Sequence, residues 1–216
     1  MKKARIITGI IIFIVVIAIT IVVLRKMGFI VVGDVDKEYY KVRGVAVSEL
    51  HGEIDWPTLA NVEKISYVFV KATGGTIDKD KKFALNFNSA LKNGIVPGAY
   101  HEFNIESGGE AQASHFTSTY TSKATEVLPP IVKVFIDEEL SEDKSKAVIT
   151  ELDILMKAIY NKYDKAPILY TDNLSYQNYL RHVKELDIYP ICIENTVYQP
   201  MIMDDKDWTF WQYATE

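Results

Sequence analysis

Residues 128–163, LPPIVKVFIDEELSEDKSKAVITELDILMKAIYNKY, place a strand and a helix end to end. Ile131 to Ile136 is a short, nearly continuous apolar run behind a Pro-Pro turn, the pattern of a strand buried on both faces. From Ser141 the period changes. Ala147, Val148, Leu152, Leu155, Met156 and Ile159 approach the i, i+3, i+4, i+7 spacing of one buried helix face. Ser141 supplies an N-cap, and Glu142 and Asp143 place negative charge at the positive end of the helix dipole. Between the two elements stand three consecutive acids, Asp137, Glu138 and Glu139. They are either a catalytic pair with a spectator or the solvated end of a strand.

The same alternation repeats on both sides. Apolar β-rich runs fall at 44–48, 65–72, 95–103, 131–136, 166–171, 189–194 and 208–214. Helical patterns fall at 56–64, 80–93, 109–121, 141–163 and 175–186. Strand then helix, repeated, predicts an α/β fold with a parallel sheet covered on both faces. No internal repeat or low-complexity tract interrupts it.

Composition narrows the function classes. The chain has 216 residues, 48% of them hydrophobic, enough for one globular domain with a sizeable core beside a membrane segment. A net charge of -5 with no basic block beyond the N-terminus gives no electrostatic footprint for nucleic acid. The single cysteine, Cys192, reads as an apolar filler, with no second thiol for a disulfide or a Cys-x-x-Cys metal site. No phosphate-cradling glycine loop, Ser-His triad or metal-ligand spacing is present, so the sequence calls for no cofactor and no metal.

At the N-terminus, Ile6 to Leu24 is uncharged and almost wholly apolar, long enough to cross a ~30 Å hydrocarbon layer. Arg25 and Lys26 follow directly where a cleaved signal would carry small residues, so the expectation is an uncleaved anchor over 1–28 and a linker over 29–43. Lys2, Lys3 and Arg5 slightly outweigh the charge that follows. This places the N-terminus in the cytoplasm and the domain at 44–216 outside it, on a single-pass protein of a bacterial-type cell membrane.

Seven segments of that domain carry a resemblance. GVAVSELHGEIDW, YVFVKATGG, NGIVPGAYHEF, EAQASHF, LPP, ILYTDNLSYQNYL and WTFWQYA occur in the order, and at about the spacing, of the glycoside hydrolase family 25 lysozymes, the muramidases that cleave peptidoglycan. The match covers nearly everything from Gly44 onward. It implies an irregular, TIM-like β/α barrel of eight strands with its groove at the C-terminal strand ends. The eighth strand of that pattern is missing here, which predicts an open edge between the seventh strand and the first. The resemblance also implies carboxylates: an Asp in the first strand, within G-[IV]-D-V-S, and a D-x-E at the end of the fourth. Residues i and i+2 of a strand point the same way, so D-x-E aims two carboxyls into one groove, one as proton donor and one to hold developing charge.

The chain departs from that pattern at the chemistry itself. The first-strand Asp is Ala46. Anchored on LPP, the fourth strand has Lys133 and Phe135 at the D and E positions; anchored on the acids, VFIDEEL makes Asp137 and Glu139 the pair. The two registers differ by an even number of residues, so alternation cannot choose between them. Gly74 stands where the family pattern K-A-T-E-G has Glu, and Cys192 and Thr196 replace aromatic residues of W-I-A-x-Y. Tyr100, His101, Glu102, Tyr170, Asp172, Glu194, Trp211 and Tyr213 are the candidate substrate-binding residues, at or near strand ends. His101 is the best polar contact among them, or else a histidine bonded inside the barrel. Trp211 and Tyr213 share one face of the last strand, and Phe210 and Gln212 share the other. The leading expectation is a membrane-anchored domain that recognises peptidoglycan or a related glycan without cutting it. A working muramidase using Asp137 and Glu139 is the second. The third is a protein-binding component of a cell-envelope apparatus, docking a partner through the open barrel edge.

Overall fold

The computed structural model describes residues 2–26, 39–121, 124–196, 199–200 and 207–214. All seven expected strands form. β1 (Gly44–Val47), β2 (Tyr67–Gly74), β4 (Val96–Glu102), β5 (Ile131–Val134), β6 (Ile168–Asp172), β7 (Ile191–Glu194) and β8 (Phe210–Gln212) pair in parallel in that order. A two-residue strand, β3 (Asp78–Lys79), turns back against Thr73 and Gly74 of β2. Its charged pair has no strand signature.

The sheet curls. Five inter-strand steps separate β2 from β8, about 24 Å in a flat sheet at ~4.8 Å per step. Yet the Phe210 ring of β8 lies 5.2 Å from Tyr67 and 5.4 Å from Phe69 of β2. Alternation along the strands therefore makes an inside and an outside. Inside, Phe69, Tyr100, Ile131, Ile168, Tyr170 and Cys192 pack with Ala46, Tyr67, Phe135 and Phe210. Cys192 is the apolar filler its isolation implied, 2% exposed, and burial pushes its thiol well above the ordinary value.

Outside, Val68, Val70, Ala99, Val132, Val134, Leu169, Ile191 and Ile193 join the larger core, which the helices complete. These are α2 (Trp56–Asn61), α3 (Phe83–Lys92), α4 (Gly109–Thr119) and α5 (Glu142–Tyr163). On α5 the predicted face is the buried one at Val148, Leu152, Leu155, Met156 and Ile159, while Ala147, also read onto it, is exposed. The Ser141 side chain caps the helix by accepting from the Lys144 N–H at 3.3 Å. Helix α4 crosses α5 so closely that a Cβ on Gly109 would run into the carbonyl oxygen of Glu151. The Gly109 N–H donates to the Glu151 carboxylate at 2.7 Å.

One expectation needs revision. The helix read over 175–186 is broken into a turn at Asn173–Ser175, a wide π-type turn at Tyr176–Leu180 and a 3₁₀ turn at Lys184–Leu186. Asp172 starts it early, accepting from the Leu174 and Ser175 N–H groups at 2.8 and 2.9 Å. The edge between β8 and β1 is open as expected, with no ladder joining them among the described residues, and the segment before β1 lies against it, the Tyr40 ring 5.6 Å from Trp211 and 6.4 Å from Trp208.

The N-terminal segment forms α1 (Lys2–Lys26), whose isoleucine, valine and phenylalanine side chains from Ile10 to Val23 are exposed. Among the described residues no helix is long and apolar enough to cross a membrane. Most of the expected linker, residues 29–38, lies outside the described residues.

Candidate functional site

The parallel register sets Glu102, Lys133, Tyr170, Cys192 and Phe210 in one row across β4, β5, β6, β7 and β8. Two residues further along the strands a second row joins Asp172, Glu194 and Gln212. Odd-even alternation turns these rows toward the barrel interior at the C-terminal strand ends, with Lys71 reaching the same group from β2. They form the mouth.

Charge there is organised around two lysines. Lys71 Nζ lies 2.5 Å from Glu102 Oε2 and 3.0 Å from Asp78 Oδ2. Burial alone would lower its pKa, but the hydrogen bonds and charges of Glu102 and Asp78 outweigh that and raise it, so Lys71 is a fixed ammonium. Lys133 is placed differently. Its Nζ is 3.9 Å from Glu102 Oε1 and lies over two ring faces, 4.6 Å from the Phe135 centroid and 5.3 Å from that of Tyr170. The Tyr170 hydroxyl donates to Glu194 Oε2 at 3.0 Å and also meets Gln212 Oε1. Burial first, and the Glu194 charge second, push the Tyr170 phenol far above its ordinary value, so it acts as a donor.

The run of three acids lies elsewhere. β5 ends at Val134, and the chain then leaves the barrel wall for the turn that follows β6. The Ile136 N–H donates to Ser175 Oγ at 2.8 Å and the Leu140 N–H to the Tyr179 hydroxyl at 3.1 Å, while that hydroxyl donates to the Glu138 carbonyl at 3.2 Å. Asp137, Glu138 and Glu139 are exposed on the resulting loop. Glu138 pairs with Lys144 at 2.9 Å. Lys133 and Phe135, not Asp137 and Glu139, are the i, i+2 pair that joins the inner aromatic cluster.

The other candidates divide by face. Glu102, Tyr170 and Glu194 meet at the mouth, and Tyr100 lies below them in the barrel, 6% exposed. Asp172 borders the group, but its carboxylate is engaged with the turn it caps, including the Ser175 hydroxyl at 2.6 Å. His101 points the other way, toward α4. It is fully buried, with Nδ1 2.8 Å from the Thr73 hydroxyl and Nε2 3.1 Å from Gln112 Oε1. Burial holds its pKa down to about 4. Trp211 and Tyr213 are on the outer face, where the Trp211 indole donates to the Asn195 carbonyl at 2.8 Å and stacks edge-on against Tyr213.

Three mouth residues were not among the sequence candidates: Lys71, Asp78 and Gln212. Alternation from Tyr67 through Phe69 would have found Lys71, and the Phe210/Gln212 face would have found Gln212; nothing local announces Asp78. Two grooves lie away from the mouth, one of about 610 Å³ over Phe83, Phe87 and Tyr120 and one between α5 and residues 178–185. The mouth nevertheless holds the convergent charged groups. Among the described residues, no cluster of His, Cys, Asp and Glu could hold a metal ion.

A curled parallel β/α sheet with a polar mouth at its C-terminal edge is a half-barrel of the architecture whose active sites lie at the C-terminal strand ends. Residues 45–216 match the family model for glycosyl hydrolases family 25, and the chain belongs to that family. It is 26% identical over 179 residues to the protein YegX of Escherichia coli K12, an alignment covering 81% of this chain and 64% of that relative's length. Over 78 residues, 36% of this chain and 26% of the relative, it is 40% identical to lysozyme M1 of Streptomyces globisporus. Among solved structures it is similar to a family 25 glycosyl hydrolase from Bacillus anthracis, with 31% identity, TM-score 0.73, and 84% of this chain and 82% of the other covered. A bacterial lysozyme from Streptomyces coelicolor shares the fold, at TM-score 0.69 and 24% identity, with 80% and 83% covered.

Proposed function

We propose that this protein is a membrane-tethered, extracytoplasmic member of the family that binds peptidoglycan-type glycan at the barrel mouth and does not cleave it. The carrying observation is the pair Lys133 and Phe135, turned into the mouth beside Glu102 and Tyr170, with Asp137 and Glu139 exposed on a loop tied to residues 175–179. Two-carboxylate hydrolysis needs one group that gives a proton to the leaving oxygen and another that supports charge at the sugar. An ammonium and a phenyl ring at those strand positions, with a methyl at Ala46, supply neither. Family membership supports glycan as the ligand, because the named relatives include lysozymes.

The tether rests on the run Ile6–Leu24, flanked by Lys2, Lys3, Arg5, Arg25 and Lys26, with the cytoplasmic side assigned to the N-terminus. Hydrolysis by Asp137 and Glu139 is the competing reading and requires the 136–140 loop to leave Ser175 and Tyr179 and swing both carboxylates inward. Co-sedimentation with insoluble peptidoglycan tests the proposal. Wild type is expected in the pellet, Glu194→Ala with Gln212→Ala in the supernatant, and no soluble muropeptide in either. Failure of the wild type to sediment removes the binding reading.

A further inference from the structure

Among the described residues the Lys133 ammonium makes no hydrogen bond. Its nearest carboxylate oxygen, on Glu102, is 3.9 Å away, and that carboxylate is already held by Lys71 at 2.5 Å. An ammonium carries three N–H donors, and the rings of Phe135 and Tyr170 offer it only their faces. Its side chain keeps 24% exposure. Lys133 is thus positioned by the barrel, reachable from the mouth, and unsatisfied as a donor. On the far side of the Tyr170 ring the polarity reverses. The Glu194 carboxylate receives only the Tyr170 hydroxyl among the described residues, and Gln212 stands beside it.

We infer that the mouth selects a saccharide carrying one oxyanion, a carboxylate or a phosphate, seated on Lys133, with sugar hydroxyls donating to Glu194 and Gln212. The inference rests on the glycan-binding reading and names the ligand class of the same site. Asp78, Glu102 and Glu194 oppose Lys71 and Lys133 within this small region, so a polyanion is repelled while a singly charged sugar with hydroxyl donors satisfies both sides. The Phe135 ring, partly buried beside the ammonium, gives a sugar face an apolar surface.

Calorimetric titration of the full-length protein in a neutral detergent decides it, with three probes. These are the N-acetylglucosamine–N-acetylmuramic acid disaccharide with its lactyl carboxylate free, N-acetylglucosamine 6-phosphate, and the neutral disaccharide of N-acetylglucosamine. The wild type is expected to bind an anionic probe about tenfold or more tighter than the neutral one, the effect of a charge-assisted hydrogen bond. That preference shrinks as salt is raised. The two anionic arms tell carboxylate from phosphate. Lys133→Met is expected to bring binding of the anionic probes down to that of the neutral one, and Lys133→Arg to keep the preference. Equal binding of all probes by wild type overturns the inference and leaves the glycan-binding reading standing. A preference that persists in Lys133→Met, with the thermal melt showing a folded variant, also overturns it. Binding of none of the probes overturns both.

Discussion

The outer wall of the barrel and its mouth are built from the same strands but obey different rules. On the wall, Val68, Val70, Val132, Val134, Leu169 and Ile193 face α3, α4 and α5, and what matters is volume and closeness. At the mouth the same strands present Lys71, Glu102, Lys133, Tyr170 and Glu194, and what matters is which donor meets which acceptor. The comparison separates what the family fold requires from what its chemistry requires. This chain keeps the first, and the binding-only function proposed for it departs from the second. A parallel sheet tolerates that division because alternate residues of one strand answer to different surroundings.

The largest expected effect breaks the wall. Leu152→Ala removes a fully buried side chain from the α5 face and is expected to cost about 2–5 kcal/mol in denaturant unfolding. Glycan binding by the folded fraction should be unchanged.

Second comes the pH dependence of the wall's one buried imidazole. The ordinary pKa of 6.5 becomes about 4 for His101 in the fold, held down mainly by burial. The unfolded chain therefore binds the proton first as pH falls. Stability is full above about 6.5 and declines as pH falls from there through about 4, by about 3 kcal/mol at most. Unfolding free energies between pH 7 and 4 check this, and His101→Gln should flatten that part of the profile.

Mouth substitutions are expected to be milder in stability and stronger in binding. Tyr170→Phe leaves Glu194 and Gln212 without their shared hydroxyl, at a cost of about 1–2 kcal/mol by thermal melt. Lys133→Met removes a long ion pair and two ring contacts from a partly exposed side chain, and is expected to change stability by less than about 1 kcal/mol. If Lys133→Met instead unfolds the protein, the contrast between wall and mouth fails at its sharpest point.

What the sequence reveals follows the same division. The α5 face and the seven strands are legible because they depend on periodicity, which a single chain displays. β3 is not legible: it is two charged residues held against Thr73 and Gly74 by a partner strand. His101 could have been sorted by alternation, since its neighbours Tyr100 and Glu102 turn inward and it must turn outward. The fate of Asp137 and Glu139 could not. Both registers of the fourth segment keep the same alternation, and what ends the strand is a hydrogen bond from Ile136 to Ser175, 39 residues away. The anion-ready state of Lys133 is likewise tertiary, because it depends on Lys71 having taken Glu102.

The central claim is that glycan is held at this mouth without being cut. Mass spectrometry of a defined peptidoglycan tetrasaccharide incubated with the full-length protein, at a concentration where binding is saturated, tests it most directly. The intact tetrasaccharide is the predicted and only species at the end of the incubation. Disaccharide products that appear with wild type and vanish with Asp137→Asn and Glu139→Gln would contradict the account.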